Sequence, residues 1–262
     1  MTDQIATDTA SDTALYEVRN GVAWLTFNRP ERMNALNVEM VELLRAYLDQ
    51  AKDDDEVKVL VITGAGRGFC SGADLKGLFG SGGAGTNPNV VPQHSGVQLF
   101  TAGLYYLDKP VIAAINGPAV GAGFELSLAC DVRIAAESSY FMEAAMRHGL
   151  IPGDGSVLLL PRLIGSGRAF DILLTGDKIQ AAEAKEIGLV RDVVPDDQFH
   201  DAVQAYAERL AKPPADATAM LKQAMRYSAG GPELLSVFNF LRLGVTAGKA
   251  LRRAEGTLPS GN

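Results

Sequence analysis

The sequence predicts an α/β protein whose first two-thirds alternates strands and helices and whose last third is helical. Three observations carry this. Two short apolar runs rich in β-branched residues, 57–63 and 111–115, have the pattern of strands buried on both faces. Each run leads into a glycine-rich turn, at 64–72 and at 117–123. From Ser166 onward apolar residues fall at helical spacing in 166–174, 181–187, 196–211, 216–228 and 232–253, interrupted by a strand-like 189–194.

The elements follow in chain order. Residues 1–13 are polar, rich in Thr and Asp, and are expected to form a disordered tail. Residues 16–27 alternate apolar and polar around Asn20-Gly21, the pattern of a β-hairpin, and Asn28-Arg29-Pro30 ends it. Asn37 is placed to cap a helix running to about Lys52, with Val38, Val41, Leu44, Tyr47, Leu48 and Ala51 on one face. The acidic turn 53–56 leads into the first buried strand. A short helix is expected near Asp74, then a mobile glycine-rich loop over 77–91 that could border a ligand entrance. A helix over 97–107 delivers the chain to the second buried strand, and 124–130 is long enough for a short buried helix. Strand-like pieces follow at 132–135 and 139–142, then a turn over 149–155 and an apolar run over 157–160. The domain reading is a tail (1–13), a core (14–195) and a C-terminal helical region (196–262). No fixed-period repeat is present.

Composition narrows the class. Apolar residues make up 47% of the 262 residues and charged residues 21%, an ordinary globular profile with enough chain for a sizeable core. A net charge of −7 argues against nucleic acid or an anionic membrane as the main partner, though not against a local basic pocket. Two cysteines, Cys70 and Cys130, make no disulfide framework and fit a reducing, cytoplasmic compartment. His94, His148 and His200 lack metal-ligand spacing, so no metal is expected. No run approaches a membrane span, and the N-terminus has no basic-then-apolar signal pattern.

The chemistry concentrates in 109–131. There the strand 111–115, glycines 117, 121 and 123 and the following helix present backbone N–H groups that no helical carbonyl has claimed. Such a turn can hold a phosphate or the oxyanion of a reacting carbonyl. Glu125 is the one charge between Lys109 and Asp131. In apolar surroundings its pKa rises, which suits it to proton transfer; the residues fit equally well a packing turn whose glutamate points to solvent. The loop Gly64-Ala65-Gly66-Arg67-Gly68 has G-x-G-x-G spacing, which departs from the dinucleotide pattern G-x-G-x-x-G. No phosphate-binding G-x-x-x-x-G-K-[ST] loop and no G-x-S-x-G nucleophile elbow is present. If the two buried strands are neighbours, their glycine turns can each aim one N–H at the same carbonyl oxygen, an oxyanion hole.

Several stretches resemble one family in order along the chain. They are 28–36 (NRPERMNAL), 69–75 (FCSGADL), 116–126 (NGPAVGAGFEL) with Cys130-Asp131, and 159–165 (LLPRLIG), joined by 174–176 and 181–184. Together they resemble the enoyl-CoA hydratase/isomerase (crotonase) family over nearly all of the chain from Tyr16. The resemblance implies a spiral of ββα units with a C-terminal helical trimerisation region, assembled as trimers or dimers of trimers. It implies a coenzyme A thioester as substrate and no permanently bound cofactor. By position Ala73 and Ala122 would supply the oxyanion-hole amides. Ala73, Asp74 and Leu75 would line the adenine, and Arg32 and Asn34 would lie near the CoA pantetheine or phosphates; a solvated surface charge is the other reading of Arg32.

Hydratases of the family use two glutamates, implying Glu125 as the first. The second position is Ala145, a departure that tells against efficient two-acid hydration. Two acids could stand in. Asp154 lies one position beyond the turn aspartate of some isomerases of the family, and reads equally as a turn residue or helix cap. Glu143, two residues before the vacancy, could face the same way on a strand. Arg147 and His148 fit surface or packing roles better. The expectation is hydration of a 2-enoyl-CoA with Glu125 as main acid/base and Asp154 as second. The alternatives are a one-acid double-bond isomerase and a CoA-ester binder without turnover.

Overall fold

Strands β1 (Ala14–Arg19) and β2 (Val22–Phe27) form the expected hairpin in the computed structural model, which describes residues 13–74 and 95–228. The turn is tight because Asn20 and Gly21 both take positive φ, 50° and 75°, which a two-residue turn of this hand requires. Helix α1 (Val38–Asp53) starts where the Asn37 side chain accepts the Met40 N–H at 2.9 Å. Its buried face is Met40, Val41, Leu44, Leu48 and Ala51; Val38, in the first turn, is exposed. Lys109 closes the other end by donating to the carbonyls of Ala51 (2.7 Å) and Asp54 (2.6 Å), a cation at a helix C-terminus.

Next come β3 (Val59–Gly64), α2 (Gly96–Tyr106), β4 (Val111–Ile115), β5 (Ala119–Val120), α3 (Ala122–Leu128), β6 (Val132–Ala136) and β7 (Tyr140–Met142). Then follow α4 (Ser156–Ile164), α5 (Ser166–Thr175), β8 (Ile179–Gln180), α6 (Ala181–Glu186), β9 (Asp192–Val194), α7 (Phe199–Leu210) and α8 (Ala215–Ser228). One sheet runs β1-β2-β3-β4-β6-β9, antiparallel only at the hairpin, and a small sheet runs β5-β7-β8. The two buried strands are neighbours and parallel, with Leu60, Val61 and Ile62 opposite Val111, Ile112 and Ala113.

Alternation along these strands divides the core. Leu60, Ile62, Val111, Ala113 and Ile115 face the large cluster that also holds α1 and α2, while Val59, Val61, Ile112 and Ala114 pack against Phe199, Val203 and Ala207 of α7. Both faces are therefore covered, which is why these strands read as continuous apolar runs rather than alternating ones.

Helix α8 is fastened by a buried ion pair. Lys222 Nζ donates to Asp131 Oδ2 at 2.6 Å and to the Lys109 carbonyl at 2.8 Å, and the same Asp131 oxygen accepts the Val111 N–H at 2.7 Å. Asp131 thus joins the start of β4 to α8. Replacing it by Ala strands the Lys222 ammonium, which is only 8% exposed. Because the Asp131 side chain is itself about a third exposed, we expect a loss of up to about 3 kcal/mol, measurable by denaturant melts.

The expected loop over 77–91, the helix near Asp74, residues 1–12 of the tail and the helix over 232–253 lie outside the described residues. Thr13, expected to end the disordered tail, is instead buried, its carbonyl accepting the Asn28 N–H at 2.8 Å.

Candidate active site

The site is built where the chain leaves β3 and β4. Two asparagines hold the first glycine loop. Asn34, fully buried, donates to the carbonyls of Ala65 (2.9 Å) and Gly68 (2.7 Å) while its Oδ1 accepts the Arg29 N–H at 2.9 Å. Asn116 donates to the carbonyls of Gly64 (2.8 Å) and Gly66 (3.0 Å) and accepts the Gly64 N–H at 3.1 Å. The G-x-G-x-G spacing is therefore that of a loop bound to its neighbours by side-chain amides.

Beyond the loop, 70–73 and 118–122 run side by side. Cys70 N–H donates to Pro118 O at 3.1 Å, Val120 N–H donates to Cys70 O at 2.8 Å, and Cys70 bridges Ala119 in parallel. The approach is so close that a Cβ on Gly123 would meet Cys70 O at 2.4 Å. Gly72 takes φ +98°, and a Cβ there would stand 3.0 Å from Val120 O and 3.5 Å from Ala122 N. Only glycine meets both demands at these two positions.

Ala73 and Ala122 then complete the two segments. On one side Gly72 O accepts the Leu36 N–H (2.8 Å) and Asp74 N–H donates to Leu36 O (2.9 Å). Alternation in this extended stretch turns the Ala73 N–H away from Leu36. Ala122 is the first residue of α3 after Gly121 (φ 53°), where helical N–H groups have no internal acceptor. Among the described residues neither the Ala73 nor the Ala122 N–H donates to any group. Arg133, buried behind α3, donates to the carbonyls of Ser127 (3.0 Å) and Cys130 (2.9 Å) and so caps the far end of that helix.

Glu125 sits one turn into α3 and is 2% exposed. It does not point to solvent. Its carboxylate accepts the N–H groups of Gly153 (3.2 Å), Asp154 (2.9 Å) and Ser156 (2.9 Å) at the start of α4. Burial raises its pKa, and those amides offset part of the rise. The turn that supplies them is held from α2, where Gln98 donates to the Gly153 carbonyl at 2.7 Å. Gln98 also belongs to a capping box with Ser95, the sequence signal that marks the helix start but does not reveal this contact.

Asp154 is half-buried beside Glu125. Burial and the Glu125 charge push its pKa well above the usual carboxylate range. It does not cap α4: the residue at that place is Gly155, with no side-chain cap. Glu143 follows β7, is 1% exposed, and accepts the Ala145 N–H at 2.9 Å. Burial, then the Glu125 charge, pushes its pKa up to about 8. Ala145, at the position of a second glutamate, thus contributes an amide to Glu143.

The remaining candidates lie along the rim. Arg32 is exposed, and among the described residues its guanidinium makes no hydrogen bond or ion pair. The Asn34 side chain is wholly engaged with backbone, so its reach is through the loop it holds. Asp74 pairs with Arg29 at 3.2 Å, and Arg29 also donates to Ala35 O; Arg29 went unassigned in the sequence although it lies in the N-R-P stretch. Leu75 lies outside the described residues. Arg147 pairs with Asp177 at 2.8 Å on the surface, a packing role.

Two unclaimed amides on adjoining segments, close to buried acids, are the groups that can stabilise a carbonyl oxyanion while protons move. The family described as enoyl-CoA hydratase/isomerase matches residues 17–240, and the chain belongs to it. A probable enoyl-CoA hydratase of Rhodobacter capsulatus is 43% identical over 84% of this chain and 83% of its own length. A 1,2-epoxyphenylacetyl-CoA isomerase of Escherichia coli is 41% identical over 80% of each. A crystal structure of an enoyl-CoA hydratase from Mycobacterium avium subsp. paratuberculosis superposes with a TM-score of 0.81 at 32% identity, covering 92% of this chain and 95% of that one. The crotonase-type fold expected from the sequence is the fold of these relatives.

Proposed function

We propose that the chain hydrates a 2-enoyl-CoA thioester. The observation that carries this is the pairing of 70–73 with 118–122, which leaves the Ala73 and Ala122 amides unclaimed, the second of them on the helix that bears buried Glu125. In this reading the amides bind the thioester carbonyl and stabilise the enolate as its oxygen gains negative charge. Glu125 takes a proton from water while the water oxygen bonds to C3. Burial beside Glu125 favours the acid form of Asp154, which supplies the proton to C2. In the same reading, exposed Arg32 meets the CoA pantetheine or phosphates and Asp74 serves the adenine.

One observation favours a second reading. Ala145 brings no acid, and a double-bond shift needs a single proton shuttle, so isomerisation through Glu125 alone is the alternative. Incubation of a trans-2-enoyl-CoA and of a 3-enoyl-CoA in ¹⁸O-water separates them. Hydration yields a labelled 3-hydroxyacyl-CoA. Isomerisation gives an unlabelled shifted alkene, and an unchanged panel leaves a CoA-ester binder.

We further propose a homotrimer, alone or paired into a hexamer. Met220 (70%), Leu221 (61%) and Met225 (63%) leave an exposed apolar face on α8, and sedimentation velocity checks the assembly. The buried free thiols of Cys70 and Cys130 support a cytoplasmic location.

A further inference from the structure

Of the three clustered carboxyls, Glu143 has no part in the hydration just assigned, yet it is as buried as Glu125. Met142 ends β7 with its carbonyl accepting the Gly121 N–H at 2.9 Å, so Glu143 leaves the strand beside the first turn of α3. Glu125 stands one helical turn on, its N–H donating to Gly121 O at 2.9 Å. Both acids are therefore fixed to the same backbone junction.

Their solvation is unequal. Glu125 receives three N–H groups from the start of α4. Glu143 Oε1 receives the Ala145 N–H, whereas Oε2 is buried with no hydrogen-bond partner among the described residues. Among the described residues its hydrogen bond comes from a backbone amide, not from a cation. Arg147, from the 3-10 turn after β7, is engaged with Asp177 and Thr175 O; Lys178, before β8, lies over the Tyr140 ring at 4.2 Å; and His148 is exposed. Among the described residues the titratable groups that act on Glu143 are Glu125 from α3 and Asp154 from the turn before α4, both acids, opposed in part by the Ala145 and Ala144 amides. A bare buried charge costs far more than a bare neutral oxygen, so one shared proton belongs on Glu143 and the negative charge on Glu125.

We propose that Glu143 is a positioning residue that holds the proton of a buried acid pair, leaving Glu125 as the anion that works on the substrate. This rests on the proton-transfer role given to Glu125 above. Loss of the proton places a second charge beside the developing enolate and opposes it. Because the folded chain keeps this proton to about pH 8, whereas a free glutamate loses it near 4.5, stability falls as pH rises between those values.

Infrared titration of the substrate-free protein reads the proton directly. Wild type and Asp154→Asn should each lose a protonated-carboxyl band with a midpoint near pH 8, and Glu143→Gln should lack that transition. The pH-dependent fall in melting temperature between 4.5 and 8 should be smaller in Glu143→Gln. In turnover, wild-type kcat/KM should fall above pH 8, and Glu143→Gln should move that alkaline limb away from pH 8 to where the Asp154 acid alone titrates. Absence of any band titrating near pH 8 in wild type, or the same transition persisting in Glu143→Gln, overturns the proposal. So does an unchanged alkaline limb in that variant. Absence of turnover on every enoyl-CoA defeats the functional reading alone, because the infrared result stands without substrate.

Discussion

Glu125→Gln should lower kcat/KM on an enoyl-CoA by about 10²–10⁴, the range associated with a positioned acid/base, while the protein still folds. The variant keeps the side-chain shape but removes the basic oxygen. Its cost to stability is predictable from the same contacts. The carboxylate accepts three backbone N–H groups, and a carboxamide offers one carbonyl oxygen and turns an NH₂ toward donors. At least one amide is left unsatisfied, a penalty of about 1–3 kcal/mol, so the melting temperature should drop without loss of the cooperative transition. Glu125→Ala is a poorer probe, since it strands all three amides and opens a cavity beside Phe124. Turnover unchanged in Glu125→Gln would remove Glu125 from the chemistry.

The parts of this site that the sequence displayed are those encoded locally. Residues 111–128 announce a strand, glycine turns and a helix start; Gly117 and Gly123 are explained by a backbone approach that no Cβ survives, and Gly121 by its positive φ of 53°. That β3 and β4 are buried on both faces is legible in their apolar runs; that they are neighbours is only a condition there, which the parallel pairing of the two strands meets. Elsewhere the information is tertiary. Strands β5 and β8 have two residues each, too few for any period, and exist because β7 lies between them. Helix α4 was visible only as an apolar run, because Pro161 stands inside it. Asn34 carries a functional-motif signature, but its side chain is absorbed by the backbone of 65–68, thirty-odd residues away. The same holds for Glu143. Its place two residues before Ala145 suggested a pocket-facing strand, but its bare oxygen and its acid neighbours come from segments distant in sequence.

Ala122→Pro should isolate the other half of the proposed chemistry. Ala122 is the first residue of α3, the helical position at which proline is best tolerated because the N–H there has no helical acceptor. The preceding Gly121, at φ 53° and ψ −125°, has an extended mirror-image conformation, which avoids the helical region that proline disfavours in its predecessor. The substitution therefore replaces the N–H hydrogen by the ring Cδ with little change to the fold, and the melting temperature should shift by only a few degrees. If that hydrogen points at the thioester oxygen, its loss should reduce kcat by about 10²–10³. The effect should fall on kcat and also on the affinity for a saturated acyl-CoA, because the ring Cδ takes the place of the donor and crowds the carbonyl oxygen. A folded Ala122→Pro protein with wild-type kcat would show that the Ala122 amide does not serve the reaction. Equal losses from Ala122→Pro and Glu125→Gln, with no further loss in the double variant, would show the two acting on one transition state, as the shared helix α3 requires.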